Sequence, residues 1–123
     1  MRKLSVIIVV ICLSCYTPKR DCQDFKLGKF KYEALVDGEL EQTLFIRNDS
    51  LQIEVYKNQT DTSEIRWIND CEFILTPLHP ESILDQYQMH MKIISTTKNS
   101  YTFQYNVVGE TQKETGRATK VEP

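Results

Sequence analysis

The sequence has few of the residues that catalytic, metal and phosphate sites require. It contains two histidines, His79 and His90, and four glycines among 123 residues. A serine or cysteine nucleophile needs a histidine and an orienting acid within reach, and the Gly-x-Ser-x-Gly motif is absent from the sequence. Glycine-rich segments that could surround a phosphate group are absent as well. We therefore expect a protein that is not an enzyme and binds no cofactor.

Positive charge is neither in excess nor clustered. The chain has 15 lysines and arginines against 17 aspartates and glutamates, which gives a net charge of −2 with neutral histidines. A protein that binds nucleic acid needs clustered lysine and arginine on its surface. The composition therefore excludes nucleic acid as a partner.

No apolar run is long enough to form a transmembrane helix, which requires roughly 20 residues. The run over residues 4–13 follows two basic residues and ends at Ser14 and Cys15. This order is typical of a secretory signal peptide with lipoprotein processing at the cysteine. We predict a signal peptide over residues 1–14 and a mature chain of 109 residues with a net charge of −4. The mature chain would begin at Cys15 and be anchored by its lipid to a membrane of the cell envelope.

Two cysteines lie close to the predicted cleavage site. Cys15 follows the small Ser14, whereas Cys12 follows Ile11, which is too bulky for a signal peptidase site. This difference favours Cys15 as the lipidated residue. Cys12, however, occupies the position at which a lipobox usually carries leucine, so cleavage without lipidation stays open as the alternative.

The two remaining cysteines, Cys22 and Cys71, are predicted to form a disulfide bond. Cysteines of an exported domain usually pair, because their compartment is oxidising. The bond would close a loop of about 50 residues and contribute ~3 to 4 kcal/mol of stability. Two buried thiols are the alternative, and a shared metal site would lack histidines at ligand spacing. Residues 15–24 would form the tether, and residues 25–123 a single β domain.

Apolar and polar residues alternate along most of the chain from Phe25 onward, which predicts half-buried strands. The Asp37-Gly38 pair and the Asn48-Asp49-Ser50 segment are typical of turns between such strands. Seven to eight short strands joined by hairpins indicate an all-β antiparallel meander, either a small barrel or a strongly curved sheet. A two-sheet sandwich is the other alternative.

Three segments depart from this alternation. The polar residues 57–62 are predicted to form a longer loop, in which Asp61 is expected to be a solvated surface carboxylate. Apolar residues at helical spacing predict one short helix around residues 80–87. Residues 109–116 are predicted to form a polar loop before a weak last strand.

Met89-His90-Met91 has side chains that would suit a soft metal ion such as Cu(I). On a strand, however, the two methionines point to one face and His90 to the other. We therefore expect two core methionines beside an exposed histidine, with His79 in a loop, and no metal site.

Aromatic residues recur on the faces of the predicted strands. Core packing explains most of them, and the alternative is a pocket for an apolar or amphipathic ligand. Two functions are consistent with these features. The first is a lipid-anchored, non-catalytic module that binds an envelope protein through a sheet face or edge. The second is a carrier that holds a small apolar or amphipathic ligand inside a barrel.

Three segments look like the short, uncharacterised lipoproteins of Bacteroidota bacteria. They are residues 22–32, with the pattern Cys-x-x-Phe-Lys-x-Gly-x-Phe-x-Tyr, residues 46–54 and residues 67–75. Some of those lipoproteins are labelled DNA topoisomerase IV, an activity that requires a tyrosine nucleophile on a large DNA-binding scaffold and not a small acidic chain. The resemblance therefore implies no activity that can be transferred to this sequence.

Two shorter motifs carry further resemblances. Gly28-x-Phe30 resembles the Gly-x-Trp opening of lipocalin-like barrels. Asp49-Ser50-Leu51 is similar to the Asp-Ser or Asp-Thr sites at which exported Bacteroidota proteins are often O-glycosylated. The second resemblance implies a glycan on Ser50, whereas the residue types by themselves predict an ordinary exposed turn.

Overall fold

The chain forms a closed barrel of eight antiparallel strands in a computed structural model, which describes residues 20–80 and 87–121. The strands follow one another around the barrel in sequence order, and the first pairs with the last. The prediction of an all-β antiparallel meander is confirmed, and of the forms that the sequence left open the structure has the closed barrel. The elements are a 3-10 turn η1 (Cys22–Phe25) and the strands β1 (Gly28–Val36), β2 (Glu39–Arg47), β3 (Leu51–Tyr56), β4 (Gln59–Asn69), β5 (Glu72–Pro77), β6 (Met89–Thr96), β7 (Ser100–Val107) and β8 (Glu114–Lys120).

The first two predicted turns are present. Asp37 and Gly38 have φ angles of 52° and 82°, the left-handed conformation that a two-residue hairpin between twisted strands requires. In the second turn, the Asn48 side chain accepts hydrogen bonds from the backbone N–H groups of Ser50 at 3.0 Å and Leu51 at 2.8 Å. Short polar side chains stabilise turns in this way, and residues 48–50 are exposed.

The prediction of a loop over residues 57–62 is wrong. The turn consists of Lys57 and Asn58, with φ angles of 45° and 64°, and β4 already begins at Gln59. Residues 59–62 continue the ladder with β3, because backbone pairing does not depend on apolar side chains. For the same reason the last strand begins at Glu114, within the segment predicted to be a loop.

Three predictions fall on residues that the structure does not describe. The signal peptide over residues 1–14 and the lipidation site Cys15 precede the described part of the chain. The helix expected around residues 80–87 falls on residues 81–86, which are likewise outside it. Among the described residues, no helix has the length and the apolar content needed to span a membrane.

The barrel has a closed end and a mouth. The turns at residues 48–50, 70–71 and 97–99 lie at one end, together with η1, and we call this the closed end. The turns at residues 37–38 and 57–58 lie at the opposite end, which we call the mouth. The described chain enters at the closed end, where the backbone N–H of Asp21 donates to Thr96 Oγ1 at 2.9 Å.

The turn η1 seals the closed end against the core. Phe25 is completely buried and lies 5.1 Å from Tyr101 and 6.1 Å from Phe30, measured between ring centroids. Cys22 forms the predicted disulfide bond with Cys71, with their Cα atoms 5.3 Å apart. The bond joins the segment before β1 to the turn between β4 and β5, so η1 is covalently held against the barrel.

Candidate functional site

A buried arginine forms the floor of the barrel interior. Arg47, at the end of β2, is 3% exposed. Its Nη1 donates to the backbone carbonyl of Phe25 at 2.7 Å, its Nη2 to the Tyr101 hydroxyl at 2.9 Å, and its Nε to Gln52 Oε1 at 3.0 Å. The Phe25 carbonyl ends η1 and has no partner within the turn, as is usual at a helix terminus. Arg47 therefore links η1 to three strands of the barrel.

Aromatic rings surround the same guanidinium group. Its central carbon lies 4.9 Å from the ring centroid of Phe30, 4.8 Å from that of Phe73 and 5.7 Å from that of Tyr101. Rings at such distances attract a cation through their quadrupole. A buried charge without a carboxylate partner is costly, and hydrogen bonds and ring faces together offset this cost at Arg47.

A series of hydrogen-bonded polar side chains extends from this floor toward the mouth. Gln52 lies opposite Arg47 on β3, is 1% exposed, and donates through Nε2 to Glu54 Oε1 at 3.0 Å. No buried side-chain nitrogen or oxygen among the described residues lacks a hydrogen-bond partner. The polar groups inside the barrel thus form a satisfied network and not a set of isolated defects.

An apolar cavity lies above the floor. Its volume is about 260 Å³, and it adjoins a second space of about 450 Å³ at the mouth. Glu54, Leu75 and Met89 line both spaces. Small-molecule sites in proteins are concave and mostly apolar, with volumes of roughly 300–1,000 Å³. The inner cavity alone is slightly smaller than this range, and the space at the mouth lies within it. The other residues of the inner cavity are Tyr32, Thr43, Phe45, Met91, Phe103 and Tyr105.

Glu54 is the acidic group of this cavity. Burial raises the pKa of Glu54, the charge of Asp61 raises it further, and the Gln52 hydrogen bond and the Arg47 charge act in the opposite direction. Asp61 lies directly opposite Glu54 on β4 and lines the mouth. The prediction of Asp61 in a solvated loop is therefore wrong in its placement, since this residue belongs to a strand.

Burial also raises the pKa of Tyr105, and a hydrogen bond to Tyr32 acts in the same direction. Both tyrosines line the cavity. The Tyr105 hydroxyl is therefore neutral at physiological pH and is available as a donor or an acceptor.

The inward position of Gln52 and Glu54 is the feature that sequence reasoning missed. In their strand these polar residues alternate with Leu51, Ile53 and Val55. The apolar residues of such a strand would ordinarily face the core. In the structure, Ile53 pairs with Ile46 and Val55 with Leu44 on the outer surface of β2 and β3, where all four are half-buried. Arg47 is the residue that could have indicated this arrangement. Because Arg47 faces inward in β2, Gln52 beside it in β3 faces inward as well.

The methionines at the start of β6 face the cavity, as the alternation predicts. Met89 and Met91 line it, whereas His90 points to the other face and lies 3.1 Å from Glu72 Oε1 through Nε2. The hydrogen bond from Asn69 lowers the pKa of Glu72, with a smaller contribution from the charge of His90. The described residues contain no group of three or more His, Cys, Asp or Glu side chains placed to hold a metal ion. His79 lies in the exposed connection after β5 and lines the mouth.

Ser50 lies in the exposed turn at the closed end, far from the cavity. Its exposure is compatible with a glycan, which stays a prediction. Cys22 and Cys71 are also at the closed end, so none of the residues singled out for disulfide formation or modification belongs to the cavity.

No protein family model, curated protein or solved structure matches this chain significantly. The cavity must therefore be interpreted from its own chemistry.

Proposed function

We propose that this protein is an exported, lipid-anchored carrier that holds a small apolar or amphipathic molecule inside its barrel. The observation that supports this function best is the cavity of about 260 Å³, lined by aromatic and methionine side chains and continued by a polar mouth. An eight-stranded antiparallel barrel is wide enough to hold one small ligand, as lipocalin-like barrels do.

The direction of the barrel fits a membrane anchor at the N-terminus. Arg20 and Asp21, the first described residues, lie at the closed end. A lipid on Cys15 would attach this end to the membrane, and the mouth would point away from it. A ligand could then enter from the periplasm or from the medium without displacing the anchor.

Mass spectrometry of the native protein tests the proposed function. The protein is isolated from the envelope in a detergent, and its organic extract is compared with that of a variant whose cavity is reduced, Gly116→Ala. We expect a small amphipathic compound in stoichiometric amount with the wild type and less of it with the variant. Recovery of only bulk phospholipid, in equal amounts from both proteins, would contradict a carrier function.

A second function, docking to an envelope protein, is favoured by one surface feature. The hairpin of β1 and β2 extends beyond β3, whose ladder with β2 begins at Leu44. At its tip Leu35 and Leu40 face each other across the strands and are 76% and 65% exposed. Apolar side chains on an unpaired hairpin are a common contact for other proteins.

Photo-crosslinking in intact cells tests this docking function. A photoreactive amino acid replaces Leu35, and in a control it replaces Lys98, which is exposed at the closed end. A discrete adduct that forms at position 35 and not at position 98 would support docking, and equal labelling of both would contradict it.

A further inference from the structure

Two carboxyl groups face each other where the cavity opens into the mouth. Glu54 on β3 is directly opposite Asp61 on β4, and both side chains line the mouth. Directly opposed residues of antiparallel strands have Cβ atoms about 4.5–5.5 Å apart. Like charges at this separation destabilise a sheet unless one carboxyl is protonated or a cation lies between them.

The described residues supply no such cation between the two carboxyl groups. The residues that line the cavity and the mouth include no lysine or arginine, and their basic member is the exposed His79. Burial raises the pKa of Glu54, and the charge of Arg47 acts to lower it. The Arg47 guanidinium group, however, donates to Phe25, Gln52 and Tyr101 at the floor and does not line the cavity.

The lysine at the mouth forms an ion pair with a different carboxylate. Lys57 Nζ lies 3.0 Å from Glu41 Oε1 and 5.5 Å from the ring centroid of Tyr56. Glu41 therefore has a cationic partner, whereas Glu54 and Asp61 have no ion-pair partner among the described residues.

The cavity beneath the two carboxyl groups favours a ligand in which a cationic group is attached to an apolar part. Tyr32, Phe45, Phe103 and Tyr105 contribute ring surfaces, and ring faces attract a neighbouring positive charge as well as apolar chains. The cavity provides space for the apolar part of a ligand, and the carboxyl pair favours ligands that carry a positive charge.

We infer that the ligand of the proposed carrier is an amphipathic amine, with its ammonium group between Glu54 and Asp61 and its apolar part in the cavity. The inference rests on the proposed function. An ammonium group has three donors, enough for both carboxylates at once. A fatty acid would instead bring a third negative charge to the same place, and a neutral amphiphile would leave the two carboxyls without a cation.

Burial and the charge of Asp61 both raise the pKa of Glu54, so this carboxyl group holds a proton more readily than an ordinary glutamate when no cation is present. An ammonium group favours the ionised carboxylate. Binding of an amine therefore releases a proton from the protein, whereas binding of a neutral ligand does not. Asp61, Arg47 and the exposed His79 are the other charged or titratable groups near Glu54, together with the Tyr105 hydroxyl.

Calorimetric titration of the purified full-length protein with decylamine, 1-decanol and decanoate tests this inference. The three probes share one chain and differ in charge. We expect decylamine to bind about tenfold more tightly than 1-decanol, as one charge-assisted hydrogen bond would provide, and decanoate to bind most weakly. Titrations in buffers of different ionisation enthalpy should show proton release with decylamine alone.

Three variants complete the design. Glu54→Gln and Asp61→Asn should each lower the affinity for decylamine about tenfold and leave that for 1-decanol unchanged. Glu64→Gln is the control, because Glu64 is exposed on the same strand as Asp61 and does not line the mouth. Equal affinities for decylamine and 1-decanol, or tighter binding of decanoate, would overturn the amine inference and leave the carrier function intact. If none of the three probes binds, the carrier function fails and the inference fails with it.

Discussion

Arg47 and Tyr101 are 54 residues apart in the chain, yet Arg47 Nη2 donates to the Tyr101 hydroxyl at 2.9 Å across the closed end of the barrel. The bond is part of a floor in which a cation is surrounded by rings and carbonyl groups. The floor lies at the closed end, and the cavity shares Glu54, Leu75 and Met89 with the space at the mouth. The stability of this floor can be measured apart from ligand binding.

Arg47→Lys should destabilise the protein by about 1–3 kcal/mol. An ammonium group cannot reach the carbonyl of Phe25, the amide of Gln52 and the hydroxyl of Tyr101 at the same time, since it lacks the planar fork of arginine. At least one buried polar atom then loses its partner. Urea unfolding followed by circular dichroism measures the change. Arg66→Lys is the matched control, because Arg66 is exposed on β4 and should change stability by less than about 0.5 kcal/mol.

Loss of the disulfide bond should lower stability by ~3 to 4 kcal/mol, because the closed loop spans 49 positions. The test compares wild type with the double variant Cys22→Ser/Cys71→Ser, each with and without a reductant. Reductant should destabilise the wild type to the level of the variant and have no effect on the variant. In a further measurement the wild type is denatured and refolded in the presence of reductant. An unchanged stability after this treatment would contradict the prediction.

Glu54→Gln should raise stability at neutral pH. Burial raises the pKa of Glu54 above its ordinary value near 4.5, so the unfolded chain loses this proton at a lower pH than the folded protein. Wild-type stability therefore falls as pH rises from about the ordinary value to the raised one, and glutamine removes this fall while still accepting the hydrogen bond from Gln52.

Melting curves between pH 3.5 and 8 check this pH dependence. The two proteins should be similar at the acidic end, and the variant should be more stable at the neutral end. Glu64→Gln should follow the wild type throughout, because that carboxyl group is exposed. A variant less stable than wild type at pH 7 would show that the ionised carboxylate stabilises the fold.

Gly116→Ala should reduce the cavity at a moderate loss of stability. A Cβ atom at Gly116 would lie 2.7 Å from Phe103 Cζ and 2.8 Å from Tyr32 Cε2, and both rings line the cavity. The rings can move into the cavity, so we expect a loss of about 1–3 kcal/mol together with weaker binding of 1-decanol. Thr115→Ala, at an exposed position of the same strand, should leave both properties unchanged.

Cys15→Ala should prevent anchoring to the membrane. Without the thiol that carries the lipid, the protein should appear in the soluble fraction or accumulate as an unprocessed precursor. Fractionation of cells followed by immunoblotting distinguishes these outcomes from unchanged membrane partition with normal maturation, which would contradict lipidation at Cys15. Cys12→Ala serves as the control and should behave as the wild type.

The sequence predicted the antiparallel meander because local signals agree with each other. The alternation around Phe30 and Phe73 shows half-buried strands, and the residues at 37–38 and 48–50 form turns by their own side-chain chemistry. The same approach fails at residues 57–62, where polar side chains predict a loop. Strand pairing there is made by backbone groups, which have no signature in side-chain polarity.

The candidate site followed from the sequence only in part. The aromatic strand faces predicted core packing, with the wall of a pocket as the alternative, and the alternation placed Met89 and Met91 together on the inner face. Glu54 and Asp61 could not be found in this way, because each belongs to a segment whose polarity is typical of a surface. Their meeting depends on the register between β3 and β4, set by the turn at Lys57 and Asn58.

The sequence by itself therefore determined an all-β meander and the two cysteines that pair, because turn residues and period-two patterns act over a few positions. Only the tertiary structure decided that the meander closes, and that Arg47, Gln52 and Glu54 face inward. Closure and facing depend on the pairing of β1 with β8 and on contacts between residues such as Arg47 and Tyr101, which are distant in the chain. A buried polar network is stable only when all its partners are present together, and no single segment of sequence contains them.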